Sequence, residues 1–568
     1  MKTLSCFTAI ALAAGLACLN DPTVPATPSL SAQDAYHLVY FRANGPAVIR
    51  LHIRRDDSSV HERWNRFLIR LFEHLDTDGN GLLSSEELAM APPAPFLVSA
   101  LFGSAQPVLA PDARPVPEMA MTLVGGKVTR EGLANYYRMS GVEPFRSSYQ
   151  DQSSRTEAVT EALFKHLDLN HDGKLSKEEL LAATSSLSRL DLNDDEMIAV
   201  DEILPTRDAM LPDGVLMQPP KMQSLSDSTP FFLMAPSESR ARFITALLGH
   251  YDKDATETLS PSQVGLDKDL FDKLDVNHDG KLDRRELAKF LDHAPVDLEV
   301  VLQTLDNSSG SDTIQVLKPA NLAGTQPVNR PLRCPLGDVL VTFQAGSTLS
   351  GDLKPQRLLL EKQFKSLDKK NQGFVTKEMA EGSNLLATIF PFADRDRDGK
   401  LTAKELAAFV DLLDKGMGSS LTLTIMDRGR GLFDLLDPAH FGQLRQYDLL
   451  RAWDRLAVFD TNRDDCITKE EVPRQFDIVL RYSAGLSDPL PALKDLPRPP
   501  GSGSNPVKET SSNVPLWFRK MDRNGDGYVS LREFLGSKED FRKIDTDGDG
   551  LISPEEARQA QEKLKPNK

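Results

Sequence analysis

The chain has 568 residues, enough for several domains and several cores, and 40 % apolar against 26 % charged residues give it the balance of a globular protein. A formal charge of -16 argues against the basic footprint that nucleic-acid phosphates require. Of the four cysteines, Cys6 and Cys18 fall in the first 20 residues, and no zinc-binding spacing exists.

In chain order, residues 1–20 (MKTLSCFTAIALAAGLACLN) carry Lys2, an apolar stretch from Phe7 to Ala17, and small residues, which is the form of a signal peptide. The bland alternative is a buried N-terminal helix. Gly15-Leu16-Ala17-Cys18 loosely resembles a lipobox, in which Cys18 would become a lipidated first residue. Ordinary cleavage, near Ala17 or as late as Ala32, is the favoured reading. No later segment is long and apolar enough to be a transmembrane helix. Cys334 and Cys466 could pair in an oxidising compartment or remain free thiols.

Twelve-residue segments then recur. Asp76, Asp78, Asn80, Leu82 and Glu87 stand at positions 1, 3, 5, 7 and 12 of the first, with Gly81 at 6. Asp168, Asn170, Asp172, Lys174 and Glu179 repeat the pattern, as do Asp275, Asn277, Asp279, Lys281 and Glu286. Asp394, Asp396, Asp398, Lys400 and Glu405 form a fourth. Asp522, Asn524, Asp526, Tyr528 and Glu533 form a fifth, and Asp545, Asp547, Asp549, Leu551 and Glu556 a sixth. Two weaker loops keep the ligands without the glycine. Asp191, Asn193, Asp195 and Glu202 have Glu196 at 6; Asp460, Asn462, Asp464, Cys466 and Glu471 have Asp465 there. Three loops keep the frame and lose the chemistry: Asp252 with Gln263 at 12, Asp368 with Met379 at 12, and Asp437 with Ala439 and Phe441 at 3 and 5.

The spacing has a physical cause. A hard divalent ion of calcium's size takes six to eight oxygens at about 2.3–2.6 Å. Alternate residues of a tightly curled loop aim carboxylates inward, position 7 gives its backbone carbonyl, and the Glu at 12 closes the far side. Position 6 turns with φ > 0 and favours glycine, so a side chain there costs on the order of 1 kcal/mol. Position 8 is apolar because paired loops join through a short two-stranded β contact.

First residues 168 and 191, 252 and 275, 437 and 460, and 522 and 545 are 23 apart, and 368 and 394 are 26 apart. Each is expected to pair with its sequence neighbour. For Asp76 the proposed mate is GGKVTREGL, with Gly126, Val128 and Thr129 at positions 6, 8 and 9 of a ligand-free loop. Six pairs result. Phe72 and Leu75, Phe164 and Leu167, Phe271 and Leu274, Phe364 and Leu367, Phe433 and Leu436, and Phe541 and Ile544 mark the inner faces of entering helices.

Between pairs, AVIRLHIRR from Ala47, DLEVVLQTL from Asp297, DTIQVLKP from Asp312, DVLVTFQAG from Asp338 and SLTLTIMDRG from Ser420 alternate as half-buried strands do. They are expected to form a small sheet or several hairpins. Proline-rich tracts at Pro212 to Pro220 and Pro489 to Pro506 read as linkers.

On these loops the chain resembles the EF-hand family of the calmodulin superfamily, and its layout is similar to large exported bacterial proteins carrying many EF-hands. The resemblance implies about six to eight bound Ca2+ ions at the positions named. It also implies a mainly α fold of repeated EF-hand pairs (helix-loop-helix) with short intervening β-strands or hairpins. The expected divisions are a signal segment 1–20, a strand plus pair at 33–150, pairs at 155–215 and 236–296, and a β-rich segment 297–350. Further pairs at 355–418 and 420–483, a linker 484–512 and a terminal pair 513–568 complete the chain. The expected location is extracytoplasmic and bacterial: secreted, periplasmic or lipid-anchored at Cys18. There calcium often stands near 10⁻³ M, so the loops stay filled and hold a scaffold rigid. The alternatives are a calcium-dependent adhesion or matrix protein that binds a polysaccharide or protein partner, and a calcium store. No HExxH, GxSxG, P-loop or dinucleotide fingerprint occurs, so no enzyme is expected.

Overall fold

The computed structural model describes residues 34–56, 58–102, 123–124, 127–204, 222–225, 229–236, 238–304, 312–319, 328, 331–345, 354–438, 441–482 and 514–563. Residues 1–20, expected as a signal segment, with Cys18, and both proline-rich tracts lie outside them. Among the described residues no helix is long and apolar enough to cross a membrane.

The expectation of a mainly α fold is overturned. Helix makes up 44 % and strand 23 % of the structure, and most strand residues lie in two six-stranded sheets, so the fold is mixed α/β. The sandwich strands are β1 (Tyr36–Tyr40), β2 (Ala47–Arg55), β3 (Phe145–Asp151), β4 (Met222–Ser224), β5 (Phe231–Met234) and β6 (Leu298–Thr304). They continue with β7 (Thr313–Lys318), β8 (Leu332–Leu336), β9 (Val339–Ala345), β10 (Leu421–Arg430) and β11 (Arg474–Tyr482). One sheet has the order β5-β1-β2-β6-β7, with the two-residue strand Ser58–Ser59 on β2; the other runs β8-β9-β11-β10-β3-β4.

Three pairings are parallel: β2 with β6, β9 with β11, and β10 with β3. A parallel neighbour needs a long crossover, and here EF-hand-like helices supply it. β8 and β9 form a tight hairpin, Leu336 opposite Val339, its two-residue turn opened by Gly337 at φ 64°. The inner faces meet in one core: Leu38, Ile49, Leu51, Val300 and Leu302 from one sheet, Val341, Phe343, Leu423, Ile425 and Ile478 from the other. Tyr40 and Phe231 bridge it, with ring centroids 5.3 and 4.9 Å from that of Phe476.

The outer faces are covered too, which is why alternation alone under-reads these strands. Val39, Phe41, Val48, Phe232 and Met234 pack beneath the hands that begin at Asp252 and Asp275. Leu340 on β9 joins the core of the hands at Asp168, Asp191, Asp437 and Asp460. A third cluster unites the Asp76 hand and its Val128 mate with the hands at Asp368 and Asp394. The terminal hands at Asp522 and Asp545 keep a small core around Phe518, Val529, Phe541 and Ile552.

Sequential pairing is seen at Leu83 with Val128, Leu259 with Leu282, Val375 with Leu401, and Val529 with Ile552. It fails for 155–215 and 420–483. There Lys174–Ser176 pairs with Cys466–Thr468, and Met197–Ala199 pairs with Gln443–Arg445, so the Asp168 loop joins Asp460 and the Asp191 loop joins Asp437.

The reason lies between the loops. Where sequence neighbours pair at 252/275, 368/394 and 522/545, a glycine breaks the helical course: Gly265 at φ 66°, Gly382 before the N-cap Ser383, Gly536 before the N-cap Ser537. From Lys177 to Leu190, and from Gln446 to Phe459, no glycine or proline intervenes. The chain continues through short helices, with Ala182 and Ser188 still right-handed, as a rod of roughly 20 Å at 1.5 Å per residue. Each rod holds its two loops at opposite ends. Lys177–Leu181 packs on Ala452–Leu456 and Ala183–Leu187 on Gln446–Leu450, so the rods run antiparallel and every loop meets one from the other half of the chain.

Candidate metal centres

Each loop begins where an entering helix ends. The N–H of Asp168 closes the helix Ser153–Leu167 on the Phe164 carbonyl, and its ψ of 91° turns the chain out of helical space. Asp76, Asp275, Asp394, Asp522 and Asp545 do the same on Phe72, Phe271, Phe390, Phe518 and Phe541. The position-1 carboxylate then curls the loop: Asp168 Oδ1 accepts from Asp172 N at 3.2 Å and Oδ2 from Gly173 N at 2.9 Å. Asn170 Oδ1 and Asp172 Oδ1 accept from the position-5 and position-7 amides, both at 2.8 Å. Glu179 returns from the exiting helix, Oε1 accepting from Leu169 N at 2.8 Å and Oε2 from Ser176 N at 2.9 Å.

The same frame brings together Asp275, Asn277, Asp279 and Glu286. Asp76, Asp78, Asn80 and Glu87 share it, as do Asp394, Asp396, Asp398 and Glu405. Asp522, Asn524, Asp526 and Glu533 form it at one end of the terminal pair, and Asp545, Asp547, Asp549 and Glu556 at the other. The amides of Leu82, Lys281, Lys400, Tyr528 and Leu551 donate to the position-5 side chain. Carboxylate oxygens of Asp76, Asp78 and Glu87, of Asp394, Asp396 and Glu405, and of Asp545, Asp547 and Asp549 lie within 4.8 Å of one another.

The weaker loops are built the same way. Asp191 accepts from Asp195 N at 3.1 Å and Glu196 N at 2.9 Å, Asn193 Oδ1 accepts from Asp195 N, and Glu202 Oε1 accepts from Leu192 N at 3.0 Å. Asp460, Asn462, Asp464 and Glu471 repeat this, with Cys466 N donating to Asp464. Glu196 and Asp465 take the left-handed turn without glycine, at φ 62° and 58°. Cys466 and the buried Cys334 are both free thiols.

Whether these oxygens suit a cation is decided by their electrostatics. Asp394 is 7 % exposed, and its Oδ1 is buried with no hydrogen-bond partner. Burial raises its pKa, and Glu405, Asp396 and Asp398 raise it further. Asp526, 4 % exposed, is pushed up to about 7 by burial, with Asp522 and Glu533 adding to the effect. A half-desolvated anion crowded by anions with an oxygen left over is a cation's site chemically, so the residues fit a hard divalent ion. Glu87, at position 12 of the first loop, differs. Burial pushes Glu87 upward, but the amides and hydroxyls of Ser84 and Thr77 outweigh it and hold the carboxyl down to about 2.

The frame-only loops replace the ion with their own groups. Gln263 Nε2, at position 12, donates to Asp254 Oδ2 at 3.2 Å. In the Asp437 loop Arg445, at position 9, pairs with the buried Asp448 at position 12 through Nε at 2.6 Å and lies over the Phe441 ring at 4.2 Å. The sequence reading missed this internal cation, although an arginine at 9 facing an aspartate at 12 is its signal. It also missed Lys174 Nζ, which sits 2.6 Å from Asp464 Oδ2 in the partner loop. Asp368 keeps its curl through Gln372 N and Gly373 N. Gly126 and Ala439 lie outside the described residues.

A family model for the EF hand matches residues 68–90, 160–182, 266–291, 386–410, 516–535 and 539–559. These are the six complete loops with their flanking helices; the Asp191 and Asp460 loops fall outside. The six matches support a multi-EF-hand calcium-binding protein. No curated protein and no solved structure matches the chain.

Proposed function

We propose that this is an exported, non-enzymatic calcium-binding protein whose filled loops hold a large α/β scaffold rigid. The ions would be held by the oxygens at positions 1, 3, 5 and 12 and the position-7 carbonyl of the six complete loops, and more weakly by the Asp191 and Asp460 loops. Bound Ca2+ supplies two positive charges and a six- to eight-oxygen cross-link. The chain's own residues supply the rest: the β contact at position 8 makes each loop's order a condition of its partner's.

One observation carries the scaffold reading. The ladders Lys174–Ser176 with Cys466–Thr468, and Met197–Ala199 with Gln443–Arg445, join segments about 250–290 residues apart through the loops themselves. Ordering those loops therefore fixes tertiary structure. A sensor would keep apolar helix faces free for a target; in the hands before the terminal pair the apolar faces pack into shared cores or on the sandwich. The signal-like residues 1–20 support export.

Calorimetric calcium titration with parallel thermal melts tests the reading. Six to eight ions and a large rise in melting temperature are expected. Many ions with little change in melting would indicate a store, and no bound ion would end the proposal. Fractionation of the producing cell tests location, with cytoplasmic recovery as the contrary result.

A further inference from the structure

The C-terminal pair meets the rest of the molecule through its first loop. Asn524 Nδ2, at position 3, donates to the backbone oxygen of Asp195, position 5 of the Asp191 loop, at 2.9 Å. Arg532, at position 11, donates to Asp194 at 2.6 Å and lies 3.8 Å from Glu196. From the paired Asp437 loop, Arg445 Nη1 donates to the Asp526 carbonyl at 3.1 Å, and Tyr447 stacks on Tyr528 with centroids 4.3 Å apart and planes at 16°. Two loops joined by one short ladder thus present a single face on which a third is seated.

These contacts use groups that loop order puts in place. Asn524 Oδ1 accepts from Asp526 N at 3.1 Å, and that sets Nδ2 outward. Asp195 Oδ1 accepts from Met197 N at 2.9 Å, which leaves its main-chain oxygen facing Asn524. Glu196, whose side chain strains position 6 of its own loop, lies with Asp194 against Arg532. The departure from glycine therefore has a tertiary counterpart. Both loops carry their own acidic ligands, Asp191, Asp195 and Glu202 in one and Asp522, Asp526 and Glu533 in the other. Arg532 meets the Asp191 loop through Asp194 and Glu196, and Arg445 meets the Asp526 carbonyl; a divalent ion in the Asp522 loop would neutralise that loop's own carboxylates and fix Asn524.

We propose that seating of residues 514–563 on the Asp191/Asp437 loop face is linked to cation binding in the Asp522 loop, making the terminal pair a calcium-dependent latch. The inference rests on the calcium-loop reading above. Linkage is reciprocal, so undocking weakens calcium binding at the Asp522 loop by the same factor that losing its ion weakens docking.

Hydrogen exchange on the full chain with calcium tests one direction. In Glu533→Gln, amides of residues 193–197 and 443–448 should exchange several-fold faster than in the wild type, while those of the Asp76 loop stay protected. The double variant Tyr528→Ala/Arg532→Ala keeps every ligand, since position 7 binds through its carbonyl. Calorimetry should show its Asp522 loop several-fold weaker for calcium. Wild-type protection of 193–197 in Glu533→Gln, or unchanged affinity in the double variant, overturns the latch. Calcium that protects residues 76–87 but leaves 193–197 indifferent removes the latch alone. Calcium that protects neither, with no ion bound, removes the scaffold reading as well.

Discussion

Arg445 does with a guanidinium what the neighbouring loops are built to do with a metal ion: it neutralises the position-12 carboxylate, here Asp448, inside a closed turn. The buried carboxyl of Asp526 is the opposite case, and it predicts a pH dependence. Its pKa, pushed by burial from the usual carboxylate range up to about 7, is raised in the folded state. The stability it contributes without calcium is therefore full below about pH 4 and lost as pH rises through about 7. In chelator the wild type should lose more melting temperature between about pH 5 and about pH 8 than Asp526→Asn does. An equal loss would show that the carboxyl is already ionised throughout. Lys174 makes a second residue-scale case. Its ammonium beside Asp464 opposes a cation in the Asp460 loop, so Lys174→Met should tighten that loop a few-fold while sparing its own, where only the carbonyl of residue 174 is needed. Site-resolved titration by NMR would register the difference, and weaker binding at the Asp460 loop would refute it.

At the scale of elements, the continuity of two helical rods decides which loops become neighbours. Ser185 N donates to the Ala182 carbonyl at 3.0 Å near the middle of the first rod. Ser185→Pro removes that donor and its ring meets the preceding turn, a cost of about 3 kcal/mol or more in a helix interior. The four-hand cluster should melt several degrees lower, and exchange should rise at Cys466–Thr468 and Gln443–Arg445 although both lie far along the chain. A change confined to residues 155–215 would mean that the hands pair locally after all. The ligand spacing could be read at this scale because it is contiguous, and so could the Leu83 and Val128 contact, because Thr129 caps the helix Arg130–Met139 where the motif places it. The cross-pairing at Lys174–Ser176 was hidden by the 23-residue interval, which the Asp168/Asp191 hands share with the sequentially paired Asp252/Asp275 hands. The missing glycine between the loops carried the information.

The whole molecule is knitted from both halves. β3 lies parallel to β10, the Asp76 hand shares a core with Asp368 and Asp394, and the Asp168 and Asp191 hands share one with Asp437 and Asp460. A chain split between Leu305 and Asp312 should consequently yield two fragments that co-purify as a one-to-one complex in calcium. Each fragment alone should be poorly soluble, because it would expose the apolar surface of both clusters and of the second sheet. Recovery of two independently folded, non-associating fragments in light scattering would contradict this arrangement.

What the residues fixed by themselves is local. Oxygen donors at set offsets, a phenylalanine four places before the first aspartate of each complete loop and an apolar residue at position 8 are short-range demands, and each loop closes on its own amides. What only the folded chain decided is partnership. Ile49 and Val341 alternate as half-buried strands do, yet nothing in AVIRLHIRR or DVLVTFQAG names the strand beside it or the hand above it. Strand and loop partners are chosen by the collective burial of surfaces hundreds of residues apart, and that choice made a two-sheet sandwich out of segments that read singly as a small sheet or several hairpins.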